Sequence, residues 1–275
     1  ETTAYLVCRL TRMGIPVQTF GDYTGCIATI QGGQPGRTVL LRADIDALPI
    51  QEETGLDFAS VHPGVMHACG HDCHAAMLLG AAKLLAPYRD ELCGTVRFLF
   101  QAAEETSMGS LYFIDHGCLD GVDAAFGMHI WSGLEAPLIS VESGPRMSAC
   151  DNFELTVHGT AAHGASPHLG CDAIVAAAAA VTQLQGYVAR RHDAFQPLVI
   201  TVGTIHGGEQ FNIVADTVTM TGTARCFDPA LRARLEGDLS ALFTAACLPS
   251  GCTAELKWIP TARAVSNDDT TLTAI

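Results

Sequence analysis

MHACGHDCHAAMLLGAAKLL, residues 66–85, places His67, Cys69, His71, Asp72, Cys73 and His74 within nine positions and then turns into an apolar, helix-like run. All six side chains can bind a metal or move a proton. A ligand-rich turn that opens a helix fits the end of a strand in an open α/β sheet, where ligands gather beyond the carboxyl ends of the strands. Strand-like runs lie on both sides of it. TVLLRADI (38–45) is short, apolar and β-rich, TVRFLFQA (95–102) reads as a buried strand, and DAAFGMHI (123–130) as another, with LYFIDHGCL (111–119) as a short helix between the last two. Nearly continuous apolar strands alternating with helices predict an α/β fold, a mostly parallel sheet with flanking helices.

The pattern changes near Gly144. From there the order is strand FELTVHG, helix CDAIVAAAAAVTQLQGYVARR, strand PLVITVGTIHG, strand DTVTMTGTARCF, helix DPALRARLEGDLSALFTAA and strand TAELKWI. That βαββαβ order is the split unit of ferredoxin-like domains. Gly207 and Gly208 offer the turn between the middle strands, and Asp228 caps a helix with Pro229 at its first position. The expected division is a catalytic domain at 1–145, an inserted α+β ferredoxin-like domain at 146–259, and a return toward the first domain at 260–275. The chain opens on an apolar-periodic helix without an initiator Met, so its start is expected to lie inside a longer protein.

Composition narrows the partners. Lys and Arg total 15 against 29 Asp and Glu, a formal charge of −14 that repels phosphate backbones and anionic lipid. Neither nucleic acid nor a membrane surface is expected, and IVAAAAAV is too short to span a bilayer. Eleven scattered cysteines, odd in number and set in apolar segments, fit reduced thiols in the cytoplasm better than a disulfide framework.

Placed on the predicted sheet, ADID (43–46) ends one strand, the His/Cys cluster opens the next helix, AAEE (102–105) ends a second strand and MHI (128–130) a third. Cys69 as thiolate, His71 and His129 as imidazoles and Glu105 as carboxylate suit zinc or a similar divalent ion. Glu104 and Glu105 cannot share a strand face, but at a strand end one binds metal while the other faces the attacking water. A structural zinc site is disfavoured because the stretch lacks paired cysteine spacing. Cys73 and His74 read as packing residues or neighbours of the ligands, and His168 as a surface histidine. GASPH fails as a nucleophile elbow, and no phosphate loop or dinucleotide fingerprint occurs.

LRADIDALPI, MHACGHDCHAAMLLGAAKLL, FLFQAAEE, AFGMHI, HGTAAHGASPHLGCDAI and GGEQFNIVADTVTMTGTAR together resemble the amidohydrolase branch of the aminoacylase and carboxypeptidase G metallopeptidases, which includes hippurate hydrolases, auxin-conjugate hydrolases and N-acetyldiaminopimelate deacetylases. The resemblance implies a di-metal exopeptidase-like catalytic domain, incomplete here because relatives continue further and supply another histidine ligand. It also implies an inserted lid domain that forms a homodimer. Cys69, His71, Glu105 and His129 match the family's metal ligands, Glu104 its general base, and Asp46 a carboxylate that orients a ligand imidazole. His163 matches the histidine that reaches a partner subunit's site, and Asn212 and Arg225 match substrate contacts. The wider superfamily's His-x-Asp motif reads Asp44-Ile45-Asp46 here, so its first histidine ligand is absent. The expected activity is metal-dependent hydrolysis of small N-acyl amino acids with two divalent ions, manganese or zinc, with cobalt or nickel also accepted by such ligands. The rival expectation is a non-catalytic homologue kept for binding or dimerisation; the presence of Glu104 beside four ligands weighs against it.

Overall fold

Strand formation in the first half of the chain follows its apolar runs. In the computed structural model, which describes Glu1–Asp269, α1 (Thr2–Arg12) precedes β1 (Val17–Phe20), β2 (Tyr23–Gln31) and β3 (Gln34–Asp44). Then come α2 (His71–Leu85), β4 (Cys93–Gln101), α3 (Met108–Asp115) and β5 (Ala124–Gly127). These elements belong to the first of two units, Glu1–Ile139 and Ser140–Ile275. Its sheet has the order β1-β2-β4-β3-β5. β3 pairs in parallel with β4 and β5, whereas β2 runs antiparallel to both β1 and β4. The sheet is therefore mixed, which corrects the expectation of a mostly parallel one. The three predicted runs form the parallel part. The added strands VQTF and YTGCIATIQ carry Thr, Gln and Gly among their apolar residues and gave a weaker strand signal.

Side chains alternate across a strand, and β4 uses both faces. Phe98 and Phe100 pack with Leu6 and Leu10 of α1 and Leu78 and Ala82 of α2, while Leu99 joins Ile27, Leu40 and Phe113 on the opposite face. Burial on both faces is why this strand reads as one apolar run. On the second face α3 is held by rings: Tyr112 stacks on Tyr23 with centroids 3.9 Å apart, and Phe113 meets Phe20 edge-on at 5.2 Å. Gly25 makes room for this packing, since a Cβ there would lie 2.7 Å from Phe113 Cζ. In the parallel trio Asp44 pairs with Gln101, and Arg42 with Gly127. The loops after all three strands thus leave from one edge.

In the second unit the elements are β6 (Gly144–Met147), β7 (Ala149–His158), β8 (Ala162–His163), α4 (Ala173–Gly186), β9 (Leu198–Gly207), β10 (Ile213–Val214), β11 (Thr217–Cys226), α5 (Pro229–Cys247), β12 (Thr253–Pro260) and β13 (Val265–Asn267). The main sheet has the order β12-β7-β11-β9, and each pairing is antiparallel. Its strands and helices follow one another as β7, α4, β9, β11, α5, β12. Two short pairs accompany it, β8 with β10 and β6 with β13. The segment after Pro260, expected to return toward the first domain, pairs through β13 with β6 inside this unit. Residues 270–275 of that segment lie outside the described residues. Gly208, at φ +77°, opens not a tight turn but a longer connection that contains β10 before β11 begins.

One face of this sheet is covered by helices. Leu231, Leu235, Leu239 and Phe243 recur every four residues along α5, and Ala173, Ala176, Ala177 and Ala180 give α4 a flat inner face; all are buried in one core. A fully buried Leu or Phe side chain contributes about 1.5–3 kcal/mol. Asp172 accepts from the backbone N–H of Ile174 and Val175, and Asp228 from that of Ala230, so both helices carry aspartate N-caps. The run read as one helix to Arg191 is α-helical only to Gly186 and continues as a π-turn over Tyr187–Arg191. No helix among the described residues is long and apolar enough to cross a membrane.

One ion pair ties α5 to the sheet. Arg232 donates from Nε to Asp151 Oδ2 at 2.9 Å and from Nη2 to Oδ1 at 2.5 Å, and the Asp151 side chain is 3% exposed. Removing one partner leaves a buried charge uncompensated. Arg232→Leu is expected to destabilise the chain by about 3–5 kcal/mol, read as a lowered urea midpoint, and Arg232→Lys to recover only part because an ammonium lacks the planar fork.

Candidate functional site

The carboxyl ends of β3, β4 and β5 supply a single cluster in the first unit. Asp44 ends β3 and Asp46 follows two residues later. Glu104 and Glu105 come just after β4, beyond Ala103, which takes the left-handed conformation at φ +55°. That conformation costs a residue with a Cβ roughly 1–2 kcal/mol. The turn is braced from α3: Gly109 N–H donates to Ala103 O at 3.1 Å, and a Cβ on Gly109 would lie 1.7 Å from Ala102 O. His129 follows β5. Cys69 and His71 arrive from the loop into α2, whose N-cap Gly70 has φ +83° and packs under Ile130: a Cβ there would lie 2.3 Å from Ile130 Cδ1.

Hydrogen bonds assign the imidazole tautomers. Asp46 Oδ1 accepts from His71 Nδ1 at 3.3 Å, and its Oδ2 accepts from the Glu105 N–H at 3.1 Å, so one carboxylate holds two neighbours. A carboxylate only accepts, hence the His71 proton is on Nδ1 and Nε2 carries a lone pair. That Nε2 is buried and has no hydrogen-bond partner. Around it are Glu105 Oε1 at 3.8 Å, Asp44 Oδ1 at 3.8 Å and Glu104 Oε2 at 3.9 Å. His129 Nδ1 donates to Ile130 O at 2.5 Å, which leaves its Nε2 to face Cys69 Sγ at 3.4 Å.

Electrostatics follow from this crowding. Burial pushes the Glu104 carboxyl above its usual range; Arg42 opposes the shift, while Asp44 and Glu105 add to it. Burial, with Glu105 and Glu104 nearby, pushes the Cys69 thiol up to about 11. Asp44 moves the other way. Burial alone raises it, but Arg42, the bond from His74 and the nearby His71 together hold it below the ordinary carboxylate value.

A lone pair facing carboxylate oxygens, out of reach of water and of any donor, is satisfied by a cation. The residues present fit one. Two groups of possible ligands, Cys69–His71–His129 and His71–Glu104–Glu105, each have their donor atoms within 4.8 Å of one another and share His71; a third group as close, Asp44–His71–His74, is tied up internally, since His74 bonds both Asp44 and the Ile130 N–H. Soft sulfur, imidazole and carboxylate together suit zinc, manganese, cobalt or nickel.

Of the residues singled out from the sequence, Asp46, Cys69, His71, Glu104, Glu105 and His129 lie together. His163, Asn212 and Arg225 belong to the second unit. There β8 and β10 put His163 opposite Ile213, Gly164 N–H donates to Asn212 O at 2.7 Å, and Ala165 N–H donates to His163 Nδ1 at 3.1 Å. The Nε2 of His163 is therefore the protonated nitrogen. Arg225 does not join them: it is exposed near the end of β11 opposite to Thr217, paired with Cys150 and Val199. Sequence reasoning named Asp44 only as standing where the wider superfamily has a histidine ligand, and passed over Arg42; the two bond each other at 2.8 Å. The available signal was the two-residue spacing of Arg42 and Asp44, which puts both side chains on one face of β3.

An N-acetyl-L-cysteine deacetylase of Bacillus subtilis (strain 168) is 41% identical over 269 residues, which cover 98% of this chain and 65% of that protein. An N-acyl-L-amino acid amidohydrolase of Geobacillus stearothermophilus is 48% identical over 210 residues, 76% of this chain and 57% of the relative. The chain thus spans less than two thirds of the length of these two relatives. Among solved structures, Bacillus subtilis YXEP, described as a dinuclear metal binding peptidase from the M20 family, superposes with a TM-score of 0.86 at 37% identity, over 99% of this chain and 71% of that one. The profile of peptidase family M20/M25/M40 matches residues 40–275, and the chain belongs to that family.

Proposed function

We propose that this chain carries the metal-binding part of an amidohydrolase that cleaves the amide bond of small N-acyl amino acids, releasing a carboxylic acid and an amino acid. The observation that carries the reading is the unpartnered, buried Nε2 of His71 set among the carboxylates of Asp44, Glu104 and Glu105. Names of relatives agree: one removes acetyl groups from N-acetyl-L-cysteine and another acts on N-acyl-L-amino acids.

Cys69, His71, Glu105 and His129 would hold two divalent ions, manganese or zinc, with cobalt or nickel as alternatives. Such ions, when bound, lower the pKa of water and polarise a carbonyl. Glu104 takes the proton from the attacking water as the carbon–oxygen bond forms, and returns it to the nitrogen as the carbon–nitrogen bond breaks. Its raised carboxyl pKa favours holding the proton between those two transfers. Asp46 fixes the His71 ring and the Glu105 backbone through its two oxygens.

In the second unit the βαββαβ order supports a ferredoxin-like lid. His163, with its proton on Nε2, offers a donor to the oxyanion in a partner subunit, and Asn212 a contact to the substrate. Two copies meet through this unit. β9 is an edge strand with exposed Val199 and Ile205, and α4 carries exposed Ile174 and Val175. The acidic balance disfavours nucleic acid and anionic membranes as partners. Eleven free cysteines support residence in the reducing cytoplasm.

Two outcomes are expected. In the active enzyme, Glu104→Gln lowers kcat on N-acetyl and N-benzoyl amino acids by about 10²–10⁴-fold with metal content unchanged; full turnover at full metal loading would remove the assigned base. Ile205→Lys converts a dimer to a monomer in sedimentation without lowering the melting temperature, because a charge on an edge strand blocks pairing.

A further inference from the structure

His74 lies beside the proposed metal centre but does not face it as a ligand. It is 2% exposed, and both ring nitrogens are engaged. Nδ1 donates to Asp44 Oδ1 at 2.5 Å, and Nε2 accepts the N–H of Ile130 at 2.9 Å. No lone pair is left for an ion. Asp44 is itself anchored by Arg42, which donates to its other oxygen at 2.8 Å and reaches Gln101 Oε1 at 2.9 Å.

The far end of this chain of bonds is Ile130, held at both backbone groups. Its N–H goes to His74, and its carbonyl accepts from His129 Nδ1 at 2.5 Å. Its side chain rests against Gly70, one residue from both Cys69 and His71. Ile130 follows β5 in a segment without regular hydrogen bonding. Its backbone position, and through its carbonyl the tautomer and aim of His129, therefore depend on side-chain support. Rings of His74 and His129 stand 4.7 Å apart, in contact rather than in a shared ligand set.

We infer that His74, backed by Asp44 and Arg42, is a positioning residue: through Ile130 it fixes His129 so that Nε2 points at Cys69 and at a shared cation. The inference rests on the metal-centre reading above and adds to it a residue that touches neither ion nor substrate. The superfamily position that reads Asp44 here thus belongs to a support, not to a ligand.

Cobalt(II) titrated into the chain under anaerobic conditions separates the two ideas. Thiolate-to-cobalt charge-transfer absorption reports Cys69, and the ligand-field bands report the imidazoles. Wild type is expected to bind with both signals, and His74→Leu to bind about 10- to 100-fold more weakly with altered ligand-field bands. His74→Gln should recover most of the affinity, because its amide can donate to Asp44 and accept from Ile130. Equal cobalt affinity and spectra in wild type and His74→Leu would overturn the positioning role while leaving the metal centre intact. A folded His74→Gln chain as weak as His74→Leu would overturn it as well. Failure of His74→Leu to fold, judged by circular dichroism, would make the residue a support of the fold instead. Absence of cobalt binding in wild type would sink the metal centre itself and the inference with it.

Discussion

The site is organised by one imidazole. His71 is fully buried, its Nδ1 is committed to Asp46, and its Nε2 is left looking at acceptors. An acceptor so placed cannot be repaired by rotating the ring, because that would break the bond to Asp46 and turn a nitrogen from one carboxylate toward others. Reaching water is equally closed to it. A cation would satisfy such a lone pair, and the groups of possible ligands share this ring.

The same crowding has an energetic side. Asp44, Asp46, Glu104 and Glu105 bring four carboxyl groups to one sheet edge in a chain that already has a formal charge of −14. Arg42 offsets part of the repulsion through Asp44, and burial moves Glu104 toward its protonated form. A cation, when bound, would relieve the remainder and would offset the preference of Cys69, whose thiol is pushed up by burial and by Glu105. Ligand binding and local stability are therefore linked here: a species that binds only the folded chain stabilises it.

Much of this was legible in the residues. β4 announced itself because Phe98, Leu99 and Phe100 are buried on two faces. The cluster at the sheet edge announced itself because three strands each end in acids or histidines. The antiparallel β1 and β2 were harder, since β1 has exposed Gln18 and Thr19 at its centre and β2 carries Thr, Gly and Gln among its apolar residues. Asp44 was hidden for a different reason: its role depends on Arg42, two residues away on the strand, and on His74, brought to it by the fold. In the second unit the βαββαβ order could be read from alternating apolar segments, but the separation of Arg225 from His163 and Asn212 depends on strand register, which a set of motifs does not contain.

The turn that presents the two glutamates rests on α3 with no slack. Gly109 meets Ala102 backbone to backbone, and Tyr112 and Phe113 of the same helix are clamped against Phe20 and Tyr23 of the sheet. Close-packed interiors pass on small displacements instead of absorbing them. Engineering that enlarges or trims this aromatic box to raise heat resistance would consequently shift the acid pair through α3, so heat resistance and the placement of Glu104 and Glu105 are not separate dials in this molecule.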